Sequence, residues 1–117
     1  MSYTRAALVN EALDMLGVTA VGQAADPESY AKVDGKVDAS LKSLAAREIV
    51  YVPDPNDIPD EVFNQLAAIV AEECKTKFGL APDEVVKLET DRAQAETELR
   101  EMVRGRPTYE AQRAQYF

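Results

Sequence analysis

The sequence predicts an all-α fold: a small bundle of about four helices with a short extended connector and an extended C-terminal tail. Three observations predict it. Apolar residues recur at helical spacing in four segments. Glycine, proline and acidic cap residues punctuate the chain between them. β-rich patterning is confined to Ile49-Val50-Tyr51-Val52. Residues 1–105 read as one helical domain and residues 106–117 as a docking tail.

The first segment, Thr4 to Leu16, carries a stripe of Leu8, Ala12, Leu13 and Leu16, widened by Val9 and Met15. Ser2 or Thr4 caps its start, and Gly17 suits the left-handed position just past its end. Val18 to Ala25 has no periodicity and reads as a loop. The second segment has Asp26 as N-cap, Pro27 at the first helical position and Glu28 in the first turn. Tyr30, Val33, Val37, Leu41, Leu44 and Ala45 form its apolar stripe, while Lys32, Lys36, Lys42, Asp34 and Asp38 lie mostly off it. Gly35 weakens this helix by about 1 kcal/mol relative to alanine, and its smallness suggests close approach by another helix.

Ile49 to Val52 is a brief strand or an extended apolar connector. Pro53, Pro55 and Pro59 forbid regular pairing beyond it. The third segment, Asp60 to Phe78, is the strongest core helix, with Val62, Phe63, Leu66, Ile69, Val70, Cys74 and Phe78 on a wide face. Ile58 is placed to staple its start. The fourth, Pro82 to Arg104, repeats at heptad spacing through Val85, Leu88, Arg92, Ala95, Leu99 and Met102. The stripe is narrow and Arg92 interrupts it. It serves either a peripheral helix of the bundle or a subunit–subunit contact through Val85, Leu88, Arg92, Leu99 and Met102.

A chain of 117 residues fits one domain. Its apolar share, 46%, and charged share, 29%, are ordinary for a globular protein. No run approaches the roughly 18 apolar residues of a membrane span. Met1 to Ala7 lacks the basic-then-apolar layout of a signal peptide, so the expectation is a soluble protein of a reducing compartment. Cys74 is the only cysteine and reads as a small core residue. The formal charge of −8 argues against sequence-independent binding to DNA or RNA.

Motifs for chemistry are missing from the sequence. With no histidine, neither a Ser-His nor a Cys-His pair can form. The glycines are too scattered for a phosphate loop, and the Cys and His ligands of a zinc site are lacking. The acidic loop Asp54 to Glu61 fails the helix-loop-helix calcium template, because Pro59 and Gln65 stand where Gly and Glu are required. Glu72 and Glu73 are adjacent on a helix, about 100° apart, and do not face each other. A hydrolase would need two carboxyls about 5–9.5 Å apart in space. The expectation is therefore no enzyme, no cofactor and no metal. The tail holds Tyr109, Tyr116 and Phe117 beside Arg106 and Arg113. Disordered tails are usually aromatic-poor, and Tyr and Arg are favoured interface anchors, so docking onto a partner is expected ahead of docking onto its own domain or plain disorder.

Ala7-Leu8-Val9-Asn10-Glu11-Ala12-Leu13-Asp14-Met15-Leu16-Gly17-Val18 resembles the opening of the head-completion proteins, or head-to-tail adaptors, of tailed bacteriophages. The similarity is closest to the tail accessory factor of short-tailed phages and to adaptors of gene transfer agents. The order of later signals is similar too: Asp26-Pro27-Glu28, then Leu41 and Leu44, then Ile58-Pro59-Asp60-Glu61, then Phe78-Gly79. The resemblance covers about residues 4–80, and the connector after the second helix is shorter than in longer family members.

The resemblance implies a virion protein, assembled in the host bacterial cytoplasm, that forms a ring (usually twelve copies) beneath the portal protein. Such a ring extends the DNA channel and presents a platform to a downstream tail or stopper protein. Genome DNA would pass through without specific binding, repelled by a net negative wall. The tail, through Arg106, Tyr109, Arg113, Tyr116 and Phe117, would dock on the portal. The alternative is a small acidic regulator or DNA-mimicking inhibitor of a basic host protein.

Overall fold

The structure, a computed structural model, describes residues 2–17 and 27–105. Its elements in chain order are β1 (Ser2–Tyr3), α1 (Arg5–Leu16), α2 (Pro27–Ala46), β2 (Ile58–Pro59), α3 (Asp60–Glu73), a short 3-10 turn (Lys75–Lys77) and α4 (Pro82–Gly105). The fold is all-α. No described helix is long and apolar enough to cross a membrane.

The centre is α3, which packs against α1, α2 and α4. Contact on several sides requires a helix apolar around most of its circumference. Val62, Phe63, Leu66 and the run Ala67 to Ala71 are all buried. The three consecutive small and branched positions Ala67, Ala68 and Ile69 let neighbouring helices approach from different directions. Leu8, Val9, Ala12, Leu13 and Leu16 of α1 join this core, as do Val33, Val37, Leu41 and Leu44 of α2.

The helix ends follow their local chemistry. The Thr4 hydroxyl accepts the Ala7 N–H at 3.1 Å, which makes Thr4 rather than Ser2 the cap of α1. Gly17 takes a left-handed φ of 75° and returns its N–H to the last turn. Pro27 is the first residue of α2, as expected; its expected cap, Asp26, lies outside the described residues. At α4 the Glu84 carboxylate reaches back to accept the Ala81 N–H at 3.0 Å, half of a capping box.

Of the two readings of Ile49 to Val52, the connector holds: the segment forms no strand, and Ile49 and Val52 are buried. Three expectations need correction. The prolines do not forbid pairing beyond that connector. Tyr3 pairs with Ile58 and Ser2 with Pro59, antiparallel, and a two-residue ladder ending at proline is short enough to tolerate its missing N–H. The third helix ends at Glu73 rather than Phe78, tightening into the 3-10 turn before Gly79, whose φ is 61°. Finally, no described helix closes on Gly35. It is exposed, and a methyl group there would meet nothing within 4 Å.

Gly35 is therefore a conformational cost without a packing return. Gly35→Ala raises the unfolding free energy by about 0.5–1 kcal/mol, measured as a higher urea midpoint at unchanged slope. A lower midpoint would mean that the position has a contact beyond the described residues.

Candidate interaction surfaces

Arg92, the residue that breaks the heptad stripe, is the hub of an ion-pair network. It bonds Glu96 one turn along α4 at 2.9 Å and crosses to Glu72 of α3 at 2.6 Å, with Glu73 as a third partner. Lys75 joins Glu72 to Glu89, the latter at 2.9 Å. Arg47, just past α2, closes on Glu96 at 3.0 Å. The chain of charges thus ties the end of α2, the end of α3 and the middle of α4 together.

The network is largely covered: the side chains of Glu72, Glu96 and Arg92 are 11%, 14% and 20% exposed. Burial by itself would raise the Glu72 and Glu96 carboxyls. Hydrogen bonds from Lys75 and Arg92 to Glu72, and from Arg47 and Arg92 to Glu96, outweigh it and hold both below the usual carboxylate range. Burial likewise opposes the Arg92 charge, and its three carboxylates more than offset that. Glu72 and Glu73, expected to look apart, converge on one guanidinium. Carboxylates neutralised this way act as permanent acceptors. A general acid instead needs a carboxyl whose proton is retained near neutral pH.

A second knot joins α1 to α2. Arg5 bonds Asp34 at 2.7 Å and Asp38 at 2.8 Å, and its backbone N–H donates to the Asn56 side chain at 3.3 Å. These bonds fix α1 against α2 and against the proline loop. The Arg5 hydrogen bond lowers the Asp38 carboxyl from its ordinary value. Within the loop, Asp54 accepts the Asn56 N–H at 3.0 Å, an Asx turn. Among the described residues no group of three or more His, Cys, Asp or Glu is arranged to hold a metal ion. Cys74 is buried, and burial pushes its thiol up to about 11.

Among the described residues the most exposed large apolar side chain is Tyr51, at 75%. It stands on the extended connector over an open groove of about 210 Å³ walled by Leu41, Ala45, Pro53 and Pro55. A contiguous hollow of about 350 Å³ continues past Glu48 and Val50. Glu48 makes the backbone turn that opens this groove. Its φ is 58°, and the N–H groups of Glu48 and Ile49 return to the Ala45 and Leu44 carbonyls at 3.0 and 2.9 Å. That is a Schellman ending with glutamate where glycine is usual.

Of the expected subunit contacts, Leu88 and Leu99 are buried in this chain's own core, Val85 and Met102 are half-buried, and Arg92 is held by the network. The intramolecular contact with α3 accounts for the stripe, so Leu88 and Leu99 present no surface to a neighbour. The expected docking residues Arg106, Tyr109, Arg113, Tyr116 and Phe117 lie outside the described residues. Sequence reasoning missed Tyr51. Its signal was an aromatic between two residues, Val50 and Val52, in a run hemmed by prolines.

Compared with known proteins, the chain matches no family model, no curated protein and no solved structure.

Proposed function

We propose that this chain is a structural head-to-tail adaptor of a tailed bacteriophage or gene transfer agent. It assembles as a ring on the portal protein, extends the DNA channel and receives a tail or stopper protein. One observation carries the reading: three of the short motifs behind the resemblance are helix boundaries. Leu16-Gly17 closes α1, Pro27 opens α2 and Pro59-Asp60 opens α3, while Phe78-Gly79, with Gly79 at a left-handed φ, follows the 3-10 turn after α3. Their order is thus an order of structural elements, which generic dipeptides need not give. The net charge of −8 adds to it, since a negative channel wall lets packaged DNA pass without sticking.

The ring contacts fall to the exposed outer face of α4, where Val86 is 59% exposed, rather than to its inner stripe. The tail residues Arg106, Tyr109, Arg113, Tyr116 and Phe117 dock on the portal. Mass photometry of the protein mixed with the portal protein encoded near it tests this. A discrete mass increase of one ring is expected. No association at protein excess, in low and moderate salt, overturns the adaptor reading in favour of the acidic regulator, whose partner binding would fall steeply with salt.

Deleting Arg106 to Phe117 abolishes portal binding and leaves the helical circular-dichroism signal intact. Tyr116→Ala combined with Phe117→Ala weakens docking more than Arg113→Ala, because buried aromatics dominate interface energies. Unchanged binding by the truncated chain sinks the role given to the tail.

A further inference from the structure

We propose that the groove beneath Tyr51 is the seat of the chain's own C-terminal segment, Arg106 to Phe117. The groove is apolar and open: Tyr51 and Pro53 are exposed above Leu41 and Ala45. The segment brings the matching chemistry, three aromatic side chains among twelve residues. Aromatic rings over proline and aliphatic walls bury large area with little loss of side-chain freedom.

Of the charged residues that line the groove, Asp38 is held by Arg5, which leaves Glu48 and Lys42. The segment carries Arg106 and Arg113 against Glu110. Glu48 offers those arginines a partner. Its left-handed backbone costs roughly 1–2 kcal/mol that glycine would avoid, yet the residue there supplies a carboxylate at the rim.

The chain also leaves the fold in the right place. Glu98 of α4 accepts a hydrogen bond at 3.1 Å from Gln65, in the second turn of α3. The end of α4 therefore overlies the start of α3, into which the connector carrying Tyr51 feeds through β2. Twelve extended residues span up to about 40 Å. Tethering makes the docking intramolecular, with effective concentrations on the order of millimolar, so a modest contact suffices.

The inference does not rest on the adaptor reading. If both hold, a portal that takes the tail must draw it out of the groove.

Paramagnetic relaxation in the full-length chain tests it. A nitroxide is attached at Gln115→Cys; buried Cys74, its thiol pushed up to about 11, does not compete for the label. The amides of Glu48, Val50 and Tyr51 are expected to lose most of their intensity. Tyr51→Ala, an exposed substitution that leaves the core untouched, is expected to restore them. Unbroadened amides overturn the proposal, and so does broadening that persists in Tyr51→Ala. A mixture of isotope-labelled, nitroxide-free chain with unlabelled, nitroxide-bearing chain makes the third arm. Broadening there would assign the groove to a second copy's tail and overturn the same-chain seat.

Discussion

Leu99→Ala lowers the unfolding free energy by about 3 kcal/mol, whatever the protein concentration. Leu99 is 1% exposed, and truncating a buried leucine to alanine typically costs about 2–5 kcal/mol through lost burial and the cavity left behind. The α4 stripe is narrow, with Leu88, Ala95 and Leu99 its only fully covered residues among those described. The cavity therefore removes a large share of what holds this helix to α3. For a chain near 100 residues, about 3 kcal/mol corresponds to a melting-temperature drop of about 12–24 °C. Urea unfolding at two well-separated concentrations is the check. A loss that appears only in concentrated samples would mean that Leu99 works between copies, and the intramolecular account would fail.

Arg92→Leu costs about 2 kcal/mol at neutral pH, and the cost shrinks in acid. Removing one partner of a buried ion pair strands the other, at about 3–5 kcal/mol. Here Lys75 and Arg47 still serve Glu72 and Glu96, which reduces the figure. In the folded chain both carboxyls sit below their ordinary value of 4.5. A depressed carboxyl contributes stability that is present above the unfolded value and lost as pH falls through the folded one. The wild-type urea midpoint thus declines once pH drops below about 4.5. The variant keeps Lys75 at Glu72 and Arg47 at Glu96 but lacks the second donor at each carboxyl, so it declines less and the two curves approach each other. Parallel curves would show that the network is solvated and of little weight. Arg92→Lys recovers only part of the loss, because an ammonium cannot span three carboxylates in one plane.

The fold was legible from the sequence where local signals decide. Helical spacing, Gly17, Pro27 and the Pro82-Asp83-Glu84 start each locate an element without knowledge of anything distant. Features made by residues far apart in the chain were not legible. The β1–β2 ladder joins residues 2–3 to 58–59, and nothing in Ser2-Tyr3 announces a partner. Arg5 meets Asp34 and Asp38 only once α1 and α2 are docked. Arg92 read as a flaw in a stripe because the carboxylates that make it useful lie on another helix. Conversely, Gly35 suggested a close contact that the described residues do not make. For the candidate surfaces, the tail's composition was readable, whereas Tyr51 was not, because exposure of one residue in an apolar run depends on which neighbours the bundle buries.

The position of α3 at the centre has a consequence for how the protein is made. The ribosome delivers α1 first and the helix that covers it much later. Leu16 is complete on the order of 60 residues before Glu73, so at roughly 5–20 residues per second α1 waits about 3–12 s. During that interval Leu8, Val9, Leu13 and Leu16 lack the α3 part of their cover, with α2 the only described helix available to shield them. Pausing or premature release before α3 emerges leaves that part of the cover permanently missing, and such fragments are substrates for chaperones and proteases rather than partly working copies.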